Sequence, residues 1–227
     1  MSPYLCCLKA AQIGFSTLAV LKQLWVAYRK GLETIYCLPT MDDVKAFVSA
    51  KVNRMIGLNP ILQEYVRDRD TIEQKTVGGN VIYYRGTMTE REALMIPADL
   101  LIVDEEDRAN QLILGQYESR LQHSKYQWQW HFSNPSAPSA GVDKYWQISD
   151  QKHWFITCPE CQEEQYLSWP ESVSEERGLF VCKYCDGEIT DDARRYGRWV
   201  EKYERDKDRK YSGYWIPLLI CPWVTAS

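Results

Sequence analysis

The sequence predicts an α/β protein whose sheet is parallel and flanked by helices. Short apolar segments suited to strands alternate along the chain with longer segments in which apolar residues recur every three or four positions, as in helices. One short segment, 99–104, is apolar on both faces, as expected of a central parallel strand. Strands that alternate with helices favour a parallel sheet with helices packed on its faces.

The first strand and the first helix are joined by a short loop. The apolar run Tyr4–Leu8 is followed by KAAQIGFST, residues 9–17, and then by a helical segment that a glycine at position 31 is suited to end. The helical spacing is carried by Leu18, Leu21, Trp25 and Tyr28. A strand, a loop of small residues and a helix in this order are typical of a phosphate-binding P-loop.

The next elements follow the same alternation. TIYCLP, residues 34–39, predicts a second strand, and Thr40 with Asp43 forms a capping box that begins a helix. The apolar face of that helix is predicted to hold Val44, Phe47, Val48, Val52 and Met55. Further strands are predicted at 80–86, 99–104 and 126–132, with a helix between the last two at 108–124.

The composition changes after the fifth predicted strand. SNPSAPSAG, residues 133–141, predicts a loop, a region rich in cysteine and tryptophan spans 150–200, and the charged run 201–210 predicts a solvated helix or loop. We therefore expect a core domain over 1–149, a small subdomain over 150–200, and over 201–227 a return to the core followed by the start of a linker.

The bulk properties exclude some classes of protein. The net charge is −4, so nucleic-acid binding gains nothing from overall charge. No signal-peptide pattern opens the chain, and the longest apolar stretch, 215–224, is short and contains two prolines. We expect a protein of the cytosol with no membrane-spanning segment.

The loop departs from the usual P-loop sequence at one position. Gly14 lets the backbone approach phosphates and Ser16 can offer its hydroxyl to Mg²⁺, but Phe15 stands where the lysine usually lies. Lys9 stands where the first glycine of the pattern is usual, and its side chain could fold back across the loop to supply the missing charge. The alternative is an ordinary strand–turn–helix with a lysine at the surface.

Two acidic residues follow the predicted strand 99–104. Asp104 is suited to the Mg²⁺ shell, and Glu105 is suited to orient and deprotonate the water that attacks the γ-phosphate. Acidic residues also follow strands at many protein surfaces. The loop and the acidic pair together favour an enzyme that hydrolyses a nucleoside triphosphate.

Two CxxC pairs lie twenty residues apart in the cysteine-rich region. The spacing of Cys158 and Cys161 with Cys182 and Cys185 predicts a structural, tetrahedral zinc site of the zinc-ribbon type. A redox pair is the alternative for a single CxxC.

The order of these motifs resembles a known family. The loop that opens with a lysine, then CLPT, DEEDR, SNPS and ISDQKHWFITCPEC together resemble the ATPase domain of the phage terminase large subunit, lambda-type branch, which packages DNA into procapsids. The resemblance covers nearly the whole chain and implies a P-loop NTPase sheet with a zinc-ribbon insertion.

The resemblance also implies roles for individual residues. Lys9 would contact phosphate, Asp104 and Ser16 would hold magnesium, and Glu105 would be catalytic. The nucleotide loop would comprise Lys9, Ala10, Ala11, Gln12, Ile13, Gly14, Phe15, Ser16 and Thr17. A coupling motif that senses the γ-phosphate would comprise Ser133, Asn134 and Ser136, although Asn134 and Ser136 differ from the Ser-Thr-Pro-Thr pattern of the family. The candidates for an arginine finger are Arg85, Arg91, Arg108 and Arg120.

The resemblance further implies the partners and the setting of the protein. They are ATP, double-stranded DNA, a terminase small subunit and a portal protein, with oligomerisation on the portal and a location in the host cytoplasm. An upstream adenine-binding segment and a nuclease domain belong to the family, and neither is recognised in this sequence, so we expect no nuclease activity.

Two other functions remain open. The chain could be a non-catalytic zinc-binding interaction module with a degenerate P-loop. It could also be another DNA-dependent P-loop translocase, although the sequence shows neither a basic groove nor further helicase motifs.

Overall fold

The computed structural model of the protein describes residues 2–89 and 96–226, with the backbone alone at 67–69. The strands, in chain order, are β1 Tyr4–Lys9, β2 Thr34–Cys37, β3 Val66–Asp70, β4 Gln74–Val77, β5 Asn80–Arg85, β6 Leu100–Asp104, β7 Trp128–Ser133, β8 His153–Thr157, β9 Glu164–Tyr166, β10 Val173–Ser174, β11 Leu179–Phe180, β12 Arg198–Val200 and β13 Ser212–Ile216. The helices are α1 Phe15–Lys30, α2 Met41–Phe47, α3 Arg54–Gly57, α4 Pro60–Tyr65, α5 Gln111–Ser119, α6 Asp143–Gln147 and α7 Asp191–Arg195.

A mainly parallel sheet of eight strands forms the centre of the protein. Its order is β13-β1-β7-β6-β2-β5-β4-β3, and the six strands from β13 to β5 pair in parallel. The five predicted strands lie in this parallel part, which confirms the predicted fold class. The antiparallel hairpin β3–β4 extends one edge and β13 completes the other, and neither was predicted.

The predicted capping box begins the second helix. The Thr40 hydroxyl accepts from the Asp43 N–H, and the Asp43 carboxylate accepts from the Thr40 N–H. The helix continues from α2 through a π-helical turn at Val48–Asn53 into α3. The helix predicted at 108–124 is shorter, because Glu106–Arg108 forms a 3₁₀ turn and Asn110 caps α5. Ser133, predicted in a loop, is the last residue of β7.

Helix α1 turns an unexpected face towards the sheet. The residues that carry its predicted helical spacing, Leu18, Leu21, Trp25 and Tyr28, are all exposed, whereas its buried residues are Ala19, Val20, Gln23, Leu24, Val26 and Ala27. Both faces of the helix carry apolar residues, so periodicity alone could not choose between them. The buried apolar residues of α1 join the core cluster on this face of the sheet.

The core forms on both faces of the sheet because successive side chains of a strand point in opposite directions. Tyr36 and Ile102 face α1 and α2, whereas Ile35, Leu101 and Val103 face α5. All five residues of β6 are buried, as a central strand requires. The carboxyl ends of β1, β6 and β7 therefore meet at one edge of a rigid layer, where the loop at 10–14 and the acidic turn at 104–107 follow them.

The cysteine-rich region folds into small sheets beside the central one. Strands β12, β8 and β9 pair in that order, β10 pairs with β11, and β13 then returns to pair with β1. The charged run 201–210 contains no helix or strand and is mainly exposed. Of the two predicted possibilities, a solvated helix or a solvated loop, the structure shows the loop. Among the described residues, no helix has the length and apolar character needed to span a membrane.

Candidate functional site

The loop between β1 and α1 ends in a left-handed glycine. Gly14 has φ of 79° and precedes the first turn of α1, where its carbonyl accepts from the N–H groups of Thr17 and Leu18. A residue with a Cβ is strained in this conformation, so glycine suits the position. The loop residues 10–17 are partly or fully exposed. The N-terminal end of a helix attracts anions, because its first N–H groups have no partner in the preceding turn and the helix dipole is positive there.

Lys9 ends β1 and its side chain is almost fully buried. The ammonium Nζ donates to Glu105 Oε1 at 2.6 Å and lies 3.4 Å from Asp104 Oδ1. Burial by itself lowers the pKa of Lys9, but the carboxylates of Asp104 and Glu105 outweigh it and raise the pKa above its usual value. Lys9 is therefore a buried cation that reaches across β7 to the end of β6, and it is not a surface lysine.

The two carboxylates of the acidic pair have different surroundings. Asp104 is 2% exposed and accepts from the Tyr36 hydroxyl at 2.8 Å through Oδ2, whereas its buried Oδ1 makes no hydrogen bond among the described residues. Glu105 adopts φ of 56°, and its side chain is 35% exposed. Asp104 thus has one buried oxygen with spare capacity as a ligand, and Glu105 has access to water.

The acidic turn continues into two residues that the sequence reasoning did not single out. Glu106 is fully buried and pairs with His131 on β7, with Oε2 and Nδ1 2.6 Å apart, and Lys144 lies 3.4 Å from its other oxygen. The neighbouring Asp107 also binds the segment after β7. The sequence DEED gives these residues no distinct signal, because their partners are 25 or more positions away.

The predicted coupling residues lie next to Asp107. Both the N–H and the hydroxyl of Ser136 donate to Asp107 Oδ1 at 2.8 Å, and the Asp107 N–H donates to the Ser133 hydroxyl at 3.3 Å. The other carboxylate oxygen accepts from the Val142 N–H at 3.1 Å. Asn134 is exposed and its side chain takes no part in these bonds. The segment 133–142 is therefore fastened to the turn that carries Glu105.

Phe15 fills the position of the usual P-loop lysine with an apolar ring. Its ring packs edge-on against Phe132 of β7, with the ring centroids 4.9 Å apart. A cavity of about 850 Å³ is lined by Gly14 and Phe15 together with aromatic residues that include Trp154, Trp199 and Trp223. The loop therefore adjoins a largely apolar surface on this side.

The four predicted zinc ligands come together. All four sulfur atoms lie within 4.8 Å of one another, with Cys158 and Cys185 3.8 Å apart and Cys161 and Cys182 3.7 Å apart. A tetrahedral site with zinc–sulfur bonds of about 2.3 Å has sulfur–sulfur edges of about 3.8 Å, so these thiols fit zinc.

One of these thiols already has the surroundings of a thiolate. Burial raises the pKa of Cys182, but donation from the Tyr184 and Cys185 N–H groups and from Gln165 brings the pKa down to about 6. Gln165 Nε2 lies 2.9 Å from the sulfur, and its oxygen accepts from the Lys183 N–H. These contacts orient Cys182 in the way outer-shell groups orient metal ligands.

The arginine candidates do not converge on the acidic pair. Arg85 donates to backbone carbonyls of Glu73 and Tyr84, Arg108 is exposed, and Arg120 is half-buried with its Nε unpaired among the described residues. Arg91 lies outside the described residues. No arginine finger is therefore assigned.

Solved structures share the fold of this chain. The large terminase ATPase domain of Thermus phage P74-26 matches with a TM-score of 0.62 at 10% sequence identity, over 98% of this chain and 79% of that one. The large terminase of a thermophilic bacteriophage, solved in complex with ADP, matches with a TM-score of 0.50 at 15% identity, over 63% of this chain and 36% of that one. At these identities the likeness shows the fold alone.

The family is shown by the sequence itself. No curated protein matches the chain. The family described as phage terminase large subunit gpA, ATPase domain, matches residues 4–199, a range that holds the loop, the acidic turn and all four clustered cysteines. This chain therefore belongs to the phage terminase large subunit gpA family, within its ATPase domain.

Proposed function

We propose that this chain is the ATP-hydrolysing motor domain of a viral DNA-packaging terminase, which couples Mg-ATP hydrolysis to movement of double-stranded DNA into a procapsid. The observation that carries the proposal is the contact of Lys9 with both Asp104 and Glu105 beside the loop that begins α1. A buried cation, a buried carboxylate and a water-accessible carboxylate are thus brought together where a phosphate chain can be bound.

Lys9 is the cation of the proposed nucleotide site. The loop 10–14 and the start of α1 supply backbone N–H groups, which offset only part of the charge of a triphosphate. Because Phe15 is packed against Phe132 and carries no charge, Lys9 supplies the positive charge. Phosphate oxygens compete with Asp104 and Glu105 for its ammonium, so nucleotide binding releases Glu105 from its ion pair.

Asp104 and Glu105 divide the chemistry between them. Asp104 and the Ser16 hydroxyl would hold Mg²⁺. This role is supported by Asp104 Oδ1, which makes no hydrogen bond within the described residues and faces the Lys9 ammonium at 3.4 Å. When bound, Mg²⁺ neutralises charge on the phosphates. Glu105 orients the attacking water and accepts its proton as a general base, a role supported by its exposure.

The segment 133–136 carries the proposed coupling between hydrolysis and DNA movement. Ser133 and Ser136 hold Asp107, which lies two residues after Glu105, so a shift of the acidic turn moves this segment. Asn134 is exposed beside them and can contact a further partner. This arrangement supports a mechanical link from the nucleotide to the surface of the domain.

The four clustered cysteines hold a structural zinc ion in a ribbon-like subdomain. Four thiolates complete a tetrahedral shell and leave no position for a substrate, so the metal stabilises the fold and takes no part in hydrolysis. The apolar cluster around these cysteines is small, and metal binding compensates for this.

Membership of the gpA family supports proposals about the ligands, partners and location of this protein. We infer that ATP and double-stranded DNA are ligands of the chain, that a terminase small subunit and a portal protein are its partners, and that it assembles as an oligomer on the portal in the host cytoplasm. The gene would belong to a virus or a prophage.

ATP turnover with and without double-stranded DNA tests the proposal. We expect Mg²⁺-dependent turnover that DNA stimulates, with Glu105→Gln as the control for a contaminating ATPase. A protein that binds zinc but neither binds nor hydrolyses ATP would instead favour a non-catalytic interaction module, for which Phe15 in the lysine position is the supporting observation.

A further inference from the structure

Tyr36 connects β2 to the acidic pair. It lies one residue before the end of β2 and is fully buried, and its hydroxyl donates to Asp104 Oδ2 at 2.8 Å. Strands β2 and β6 are neighbours in the sheet, with Tyr36 opposite Ile102 in their register. The rigid pairing of the two strands therefore fixes the distance between the phenol and the carboxylate.

The Tyr36 ring has little freedom to move. It stacks on Phe47 with the ring centroids 5.1 Å apart, and it contacts Tyr84 and Phe132 at 5.8 and 6.4 Å. The hydroxyl of this buried ring donates to Asp104, and a tyrosine phenol is an O–H donor at neutral pH. A locked donor on Oδ2 holds the carboxylate in one orientation and leaves Oδ1 as its available oxygen.

The second oxygen of Asp104 is the one that can bind a cation. Tyr36 donates to Oδ2 of the strand-end carboxylate that we assign to the magnesium shell. Within the described residues, Asp104 Oδ1 is buried and makes no hydrogen bond, and its neighbour is the Lys9 ammonium at 3.4 Å. A carboxylate oxygen has more than one lone pair, so Oδ1 can also bind a further cation.

We propose that Tyr36 is a positioning residue that orients Asp104 towards a divalent cation bound with the nucleotide. The inference rests on the proposed function and adds a residue to its metal site. Tyr36 touches neither the nucleotide nor the cation. It acts through Asp104, as outer-shell partners of metal ligands do.

The test compares two buried tyrosines that each lose one oxygen atom. Tyr36→Phe removes the donor to Asp104, whereas Tyr84→Phe removes a neighbouring buried hydroxyl that donates to Gln23 instead. The affinity for a fluorescent ATP analogue is measured at equilibrium over a range of Mg²⁺ concentrations. We expect Tyr36→Phe to need about 10-fold more Mg²⁺ to reach half of the gain in nucleotide affinity that Mg²⁺ gives. Its nucleotide affinity in the absence of Mg²⁺ should stay unchanged.

Two results would overturn the inference. One is a Mg²⁺ dependence of Tyr36→Phe equal to that of the parent, and the other is an equal shift in Tyr84→Phe, which would indicate a general effect of packing. If the parent binds no nucleotide, the proposed function fails. Titration of the nucleotide-free proteins with Mn²⁺, followed by electron paramagnetic resonance, then decides the role of Tyr36: weaker binding by Tyr36→Phe alone supports it, and equal binding rejects it.

Discussion

Lys9 and Glu105 form an ion pair of 2.6 Å between the end of the first strand and the residue after β6. The pair joins the two groups to which we assign phosphate binding and water activation, and Asp104 lies beside it. Before nucleotide binds, each charge neutralises the other, with Lys9 buried and Glu105 partly open to water. This relationship leads to the following predictions.

Glu105→Gln separates binding from hydrolysis. The amide has nearly the same shape but cannot accept the proton of the attacking water, so we expect turnover to fall by about 100-fold or more while Mg-ATP affinity changes little. Asp104→Asn should instead weaken the Mg²⁺ dependence of binding. Steady-state turnover and equilibrium binding of both variants check the division of roles. Glu105→Gln with the turnover of the parent would reject the assignment.

Removal of the zinc should loosen one region of the protein. We expect one zinc ion per chain, and chelation under reducing conditions should speed amide exchange over 150–200 while the central sheet keeps its protection. Cys161→Ser should lose the metal, and Cys221→Ser, a buried cysteine outside the cluster, should keep it. Elemental analysis that finds no metal in freshly purified, reduced protein would contradict the site.

The contact between Ser136 and Asp107 should be needed for full stimulation of ATP turnover by DNA. Ser136→Ala removes the hydroxyl that donates to Asp107 Oδ1, and we expect the ratio of turnover with DNA to turnover without DNA to fall. Ser139→Ala, in the same exposed loop, leaves the contacts of Asp107 intact and should keep that ratio. An unchanged ratio in Ser136→Ala would argue against a coupling role for this contact.

The sequence predicted the elements better than their contacts. Alternation of strands and helices, the Thr40 cap and the two CxxC turns are local patterns, and the structure confirms the strands, the cap and the clustering of the cysteines. The strands β3 and β4 were missed because VRDRD and QKTV are polar, and β13 was missed because its pairing with β1 joins residues about 200 positions apart.

The same limit applies to the candidate site. Lys9, Asp104 and Glu105 were found from their places at strand ends, where a parallel sheet gathers side chains. Tyr36 lies in the middle of TIYC and carries no local signal, because its role depends on a partner 68 residues away. His131 lies in the predicted fifth strand and is buried, and its contact with Glu106 could not be foreseen because it joins residues 25 positions apart.

The central claim is that Lys9 supplies the charge that Phe15 does not. Lys9→Ala leaves Asp104 buried beside Tyr36 without its cation, which can destabilise the fold. A second variant, Lys9→Met, removes the charge but keeps an apolar side chain of similar length. Thermal melts of both variants check that they fold. Introduction of Phe15→Lys into Lys9→Ala returns the charge to its usual P-loop position.

The most direct measurement is the ATP affinity and turnover of these variants beside the parent. The account predicts that Lys9→Ala and Lys9→Met lose turnover by about 100-fold or more, and that Phe15→Lys restores part of the nucleotide affinity of Lys9→Ala. Folded Lys9 variants that bind and hydrolyse ATP as well as an active parent would contradict it.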